Sequence, residues 1–496
     1  RVGETRTPPF AIARDAYDLP LLKSVNFLYT LRCGCDIPGV HSTCHLSRFT
    51  RHPDGRVMPS HGGWHDAGDV SQFEICTAEM AHALTELAGR VSARDEALAE
   101  RIAQEARYGL EWLLRTRFGD GYRTLAAHYY VWTDNVLPSS EMRPEDMDTA
   151  ENAPFENWLA AAAESCAAVY FKERDPVFAR WCLRAAIEDF SFAEEGRREG
   201  RTTRRWGPTP PAQLCGAGCI AAAELYRATG DEAYIEKARE MARTVLACQQ
   251  LEMPAWDLPL RGFFFEDEAH ERVLTYEHRG HEQSPVQGLA MLLMAAPDDP
   301  DAPRWREGVA LYAEYIRKTK DLCAPFGMLP GHVYIQGKLN LRSFTIKKGG
   351  AEQAEEALTQ QMESGVKLHE GVYLRRMPIA ISRRGFHATL LSKAKGVSAA
   401  ARALQDGELM QVALNQLEWV LGRNPFASST MYGEGHNYHP LYVAFSPQLI
   451  GALPVGIQTL GNKDAPYWPV ACNAVYKEIW GHTTGKFLWV LSDVLS

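Results

Sequence analysis

The stretch His61-Gly62-Gly63-Trp64-His65-Asp66-Ala67-Gly68-Asp69 decides how the rest of the chain is read. Two carboxylates stand three residues apart around a small, permissive Ala-Gly. If the segment turns into the following helix, both acids point into one space. One can then deprotonate a water while the other orients it. Two close acids also perturb each other and raise one pKa. An Asp-Gly turn with helix-capping acids has the same spelling, so the surroundings must decide.

Outward from that stretch the dominant pattern is amphipathic helix. Apolar residues recur at helical spacing near 77–91, 94–117, 156–173, 176–195, 211–229 and 231–250. They do so again near 283–297, 303–319, 352–363, 386–402, 406–421 and 475–494. Gly230 can stop one helix and Asp231 can cap the next. Convincing alternating strands are few; GHVYIQG (331–337) is one candidate. About a dozen paired helices without a long polar linker imply one all-α domain. A ring of hairpins with loops gathered over one end would bury them, although helix counting does not separate a ring from a bundle or a solenoid.

Aromatics and small polar residues concentrate in the connectors, as in HYYVWTDN (128–135), WGPTPP (206–211), RGFFFEDE (261–268) and GEGHNYHP (433–440). Sugar rings stack their C–H faces on aromatics, while carboxylates and amides bind hydroxyls. Trp64, Tyr130, Trp132, Trp206, His436 and His439 are therefore the expected substrate contacts.

GGWHDAGD resembles the signature of glycoside hydrolase family 9, an inverting family that includes many endoglucanases. The run from Pro9-Phe10 through Tyr17 to Leu31-Arg32-Cys33-Gly34 resembles that family's entry into its catalytic domain. It is most similar to the branch in which an immunoglobulin-like domain precedes the enzyme. AAAELYRATGDEA (221–233) resembles an internal helix pair, and LEWVLGRNPFASS (417–429) a late motif around LGxNP. The resemblance implies an (α/α)6 barrel, in agreement with the helix count. It implies Asp69 as general base, with Asp66 helping to hold the water. It places the general acid at Glu478, eleven residues before Trp489. The family's usual Asn before that acid is Lys477 here. The expected organisation is a lead-in segment, 1–20, and a catalytic domain, 21–496.

Cys33, Cys35 and Cys44 stand apart from the other cysteines, such as Cys166, Cys182 and Cys248, which read as buried free thiols. Thiolates and imidazoles suit tetrahedral zinc. Some members of the resembling branch carry RCG, a Cys-His pair and GWHDAGD around a structural zinc. Carried over, the ligands are Cys33, Cys44, His45 and His65, with Cys35 and His41 as competitors. Calcium is bound by some members, but no acidic loop here supports it.

After LGxNP the family continues to a Pro-His-x-Arg element. Here the run is Tyr432-Gly433-Glu434-Gly435-His436-Asn437-Tyr438-His439-Pro440, with no Arg at the expected place. Two substrates follow: β-1,4-glucan first, and an end-cleaved β-glycoside such as a β-glucosaminide second. An extra acid from Glu141, Glu145 or Glu434 would favour the amino sugar. A different class is a sugar epimerase or a non-catalytic glycan-binding toroid. His278, His281 and Glu282 in EHRGHEQSP (277–285) point that way. The stretch 338–385 reads as a weakly structured loop beside the cleft.

With 46% apolar and 23% charged residues and a net charge of −9, the 496-residue chain has ordinary globular composition. The acidic balance offers no general attraction for nucleic acid or an anionic membrane. No apolar run is long enough to span a bilayer. No signal peptide is visible. A secreted location is favoured over a cytoplasmic one.

Overall fold

A computed structural model describes residues 15–68, 71–127, 147–204, 207–275, 279–339, 350–379, 385–443, 447–461 and 463–496. Among them are thirteen α-helices: α1 (Asp18–Thr30), α2 (Glu74–Val91), α3 (Glu96–Arg115), α4 (Pro154–Phe171), α5 (Pro176–Arg198), α6 (Pro211–Thr229), α7 (Ala233–Ala247), α8 (Ser284–Ala295), α9 (Ala302–Lys320), α10 (Gly350–Glu363), α11 (His387–Leu404), α12 (Gly407–Val420) and α13 (Gly481–Val494). Helices α2, α4, α6, α8, α11 and α13 pack each on the next, and α13 returns to α2. This closes an inner ring. Helices α3, α5, α7, α9 and α12 each lie outside one inner helix, and α1 packs on α13 and α3. The architecture is an (α/α)6 barrel.

Composition separates the two layers. In α4 every residue except Val169 is buried, because the helix has neighbours on all sides. Small residues let inner helices approach. A Cβ on Gly216 of α6 would lie 2.4 Å from the Ser284 backbone of α8. Outer helices carry one apolar stripe. In α3 it runs through Ala99, Ile102, Ala103, Ala106, Leu110 and Leu113. Each fully buried Leu contributes roughly 1.5–3 kcal/mol. Asp95, Asp175 and Asp406 cap α3, α5 and α12 by accepting from the Leu98, Phe178 and Leu409 amides at 3.0, 3.0 and 2.9 Å. Gly230 ends α6 at φ 74°, and Asp231 accepts from the Ala233 amide at 3.0 Å.

Three expectations change. The last helix was placed over 475–494 but starts at Gly481, so Glu478 lies in the extended run that enters it. That run pairs with two other segments, and their hydrogen bonds override helical propensity. The region 338–385 contains α10 and the strands 366–369 and 372–375; strand 372–375 pairs antiparallel with 332–335 on one side and with 366–369 on the other. The boundary placed after residue 20 falls within α1, whose Leu21, Val25 and Leu28 are fully buried.

The N-terminal ends of the inner helices meet at one mouth. Ala67, before α2, bridges Trp480, before α13. The Phe386 and His387 amides, at the start of α11, donate to Ile457 and Val455, and the Val455 amide donates to the Glu478 carbonyl. Beneath the mouth, one buried carboxylate ties three inner helices. Glu79 Oε1 accepts from Gln283 at 2.9 Å and lies 3.0 Å from His281 Nδ1. Its Oε2 accepts from Lys486 at 2.8 Å and lies 2.5 Å from His482 Nε2. Burial alone would raise its pKa, but Lys486 and His281 hold it well below the ordinary carboxylate value.

Candidate active site and buried Cys/His centre

The loop bearing Asp66 is fastened to the end of α1. The Cys33 amide donates to the Gly63 carbonyl at 2.9 Å, and the His65 amide donates to the Leu31 carbonyl at 2.7 Å. Gly63 has φ 69°, and a Cβ there would lie 2.9 Å from the Trp112 ring. Only glycine allows this approach. Trp64, expected in the cleft, is instead fully buried. Its Nε1 donates to Glu105 at 2.8 Å, and its ring lies over Gly109 of α3. It supports the loop from behind.

Asp66 is buried and held on several sides. Its amide donates to Ser71 at 2.6 Å, and its carbonyl accepts from Gly481 at 2.8 Å. Trp480 Nε1 donates to Oδ1 at 2.9 Å. Arg279 Nη1 lies 3.5 and 3.4 Å from the two carboxylate oxygens. Asp69 lies outside the described residues. Glu478 is half-buried, and a Cβ built on Gly68 would meet its Cγ and Oε1 at 3.4 Å. The acid therefore lies against the residue before Asp69. Its backbone is fixed by Tyr442, whose amide donates to Lys477 at 2.8 Å and whose carbonyl accepts from Ile479 at 3.1 Å.

Of the other expected contacts, Tyr130, Trp132 and Trp206 lie outside the described residues. His436 is exposed on its loop. His439 stacks on Trp468 with a centroid separation of 6.1 Å, and its Nδ1 lies 2.9 Å from Lys477 Nζ. Burial pushes the Lys477 amine down to about 8. Glu434 pairs with Lys23 of α1 at 2.7 Å. Glu141 and Glu145 are outside the described residues, as is His278. His281 is buried on Glu79, and Glu282 is buried 3.7 Å from His332, so neither presents an open epimerase-like pair. Sequence reasoning missed Arg279 and the indole N–H of Trp480 as partners of Asp66. An Arg-Gly pair just ahead of an inner helix was the one available sign.

Cys33, Cys44, His45 and His65 bring one donor atom each to within 4.8 Å of one another, and all four are buried. Cys33 Sγ lies 3.6 Å from His45 Nδ1, and Cys44 Sγ lies 3.4 Å from His65 Nε2. A tetrahedral zinc with bonds of about 2.3 Å to sulfur and 2.0–2.1 Å to nitrogen separates S and N by roughly 3.5 Å. The donor chemistry and the spacing both fit. His45 adopts φ 59°, a left-handed conformation that aims its ring inward. Cys35 is directed elsewhere, with Sγ 3.7 Å from the Tyr108 hydroxyl. His41 stands beside the set, its ring 5.7 Å from that of His65.

A closed six-hairpin toroid with carboxyl groups converging on one mouth defines the class of (α/α)6-barrel proteins with an acidic cleft. The profile of Glycosyl hydrolase family 9 matches residues 17–442, and the chain belongs to that family. Over 264 residues it is 22% identical to Endoglucanase D of Acetivibrio thermocellus, covering 47% of this chain and 41% of that protein. The chain thus spans less than half the length of that curated relative. Its fold is similar to that of the cellulase Cel9M of C. cellulolyticum in complex with cellobiose, with TM-score 0.64 and 16% identity over 97% of this chain and 98% of that one. It is also similar to a Zn-binding triple mutant of the family 9 endoglucanase J30, with TM-score 0.63 and 20% identity over 100% and 88%.

Proposed function

We propose that the chain is an inverting glycoside hydrolase acting on β-1,4-linked glucan, with Asp69 as general base, Asp66 as holder of the water and Glu478 as general acid. The observation that carries this reading is the packing of Glu478 against Gly68, between the two aspartates in sequence. An inverting enzyme needs a carboxylic acid on one side of the glycosidic oxygen. On the opposite face it needs a carboxylate and a water, with roughly 6.5–9.5 Å between the two carboxyls. Family membership supports the reaction class. Glu478 falls beyond the matched residues 17–442, so its role rests on its place beside Gly68.

Glu478→Gln, Asp69→Asn and Asp66→Asn should each lower kcat by at least about two orders of magnitude. Polarimetry should show release of the inverted anomer. Near-normal kcat in well-folded Glu478→Gln or Asp69→Asn removes the assignment. Carboxymethyl cellulose, cello-oligosaccharides and chito-oligosaccharides, assayed side by side, separate glucan from β-glucosaminide.

Cys33, Cys44, His45 and His65 would hold a structural zinc. When bound, the ion supplies a closed centre that fastens the loop next to Asp66 without entering the reaction. About one zinc per chain in protein purified without added metal is the expected analysis. Active protein with far less overturns it.

A further inference from the structure

We infer that Arg279 is a positioning residue that sets the orientation of the Asp66 carboxylate. The inference rests on the proposed role of Asp66 in holding the catalytic water. Arg279 is 7% exposed and reaches Asp66 from the α8 side of the barrel, 213 residues away in sequence. Its Nη1 faces both carboxylate oxygens, at 3.5 and 3.4 Å, and donates to Cys76 Sγ at 3.0 Å. The guanidinium lies over the Phe73 ring, 3.9 Å from its centroid. A planar cation gripped by a ring on one face and a sulfur at one edge has little freedom to follow Asp66; the carboxylate must conform to it.

The backbone behind Arg279 is equally constrained. Gly280 has φ 66°, and a Cβ there would lie 2.7 Å from the Ala388 backbone of α11. The next side chains, His281 and Gln283, are anchored on Glu79. The segment is thus a strut between α8, α11 and the Glu79 centre. Trp480 supplies the second restraint on Asp66, from α13, through Oδ1 alone. One donor leaves a carboxylate able to pivot about that bond. A second donor spanning both oxygens removes the pivot and fixes where the remaining lone pairs point. Misplacing a reacting group by about 1 Å can cost on the order of a hundredfold in rate.

The test uses the full chain with Arg279→Gln, Arg279→Lys and Asp66→Asn, assayed on a soluble β-1,4-glucan and on cello-oligosaccharides. Arg279→Gln is expected to lower kcat by about 10- to 100-fold with KM within about threefold, because substrate binding does not involve it. If the Gln variant does not fold, Arg279→Lys keeps a charge near Asp66 but loses the guanidinium plane that lies on the Phe73 ring, and kcat should still fall about tenfold at unchanged KM. Wild-type kcat in folded Arg279→Gln or in Arg279→Lys, beside an inactive Asp66→Asn, overturns the positioning role alone. Wild-type kcat in Asp66→Asn overturns the reading of Asp66 on which it stands.

Discussion

The loop of residues 61–68 and the rim of residues 433–442 flank the same mouth of the barrel but are held by different means. The first is fastened by backbone pairing to residues 31–33, by the Cys/His set, by Trp64 on Glu105 and by the two donors on Asp66. Every one of these partners is buried or sits on a rigid helix. The second is more open: His436 and Tyr438 are exposed, and its ties are the Lys23–Glu434 pair and the contact of His439 with Lys477 and Trp468. A buried polar tie is costly to break because the remaining partner is left desolvated, whereas a tie at the surface exchanges with water. The first wall is therefore built to hold one geometry. The second is tied by fewer buried contacts.

Breaking the first wall at its metal-type centre should have the largest effect. Cys33→Ser, or a strong chelator applied to the wild-type chain, is expected to destabilise by more than about 3 kcal/mol, read as a lowered denaturation midpoint. A midpoint unchanged by both treatments would place the two walls on an equal footing. On the second wall, Lys477 provides a smaller, pH-dependent test. Burial lowers its pKa from 10.5 to about 8 in the folded chain. Between those values the unfolded chain binds more protons than the folded one, so wild-type stability rises with pH across that window. Lys477→Met should lack that rise, seen as a flatter dependence of Tm on pH from about 8 to 10.5. The smallest effect is expected from Lys23→Met. Its pair with Glu434 is partly solvated, and the cost should be within about 1 kcal/mol. A much larger loss would show the rim to be as firmly built as the loop opposite.

The contrast also explains how much was legible in advance. The set Cys33, Cys44, His45 and His65 was readable through the family resemblance; its donor types suit a metal, but its spacing alone left Cys35 and His41 as competitors. Helix positions were readable from periodicity, with α6 matching at both ends. The last helix was misjudged over 475–480, where the residues are helix-compatible but the Glu478 and Ile479 backbone groups are engaged by Val455 and Tyr442. Trp64 was misassigned for a related reason. An aromatic next to a catalytic motif can face the cleft or the core, and only the glycine opposite it, Gly109, settles the direction. Arg279 was missed because its one local sign, the glycine that follows it, does not tell an arginine on a surface loop from one driven into a barrel.

Composition and pattern alone determined that the chain forms paired helices and that acids and Cys/His donors cluster near residues 33–69. These follow from local propensity, burial and chemistry. Tertiary structure decided which residues meet Asp66: Trp480 lies 414 positions away and Arg279 lies 213. Such contacts arise when the ring of helices closes and brings the starts of α2, α8 and α13 to one mouth. No local preference encodes them.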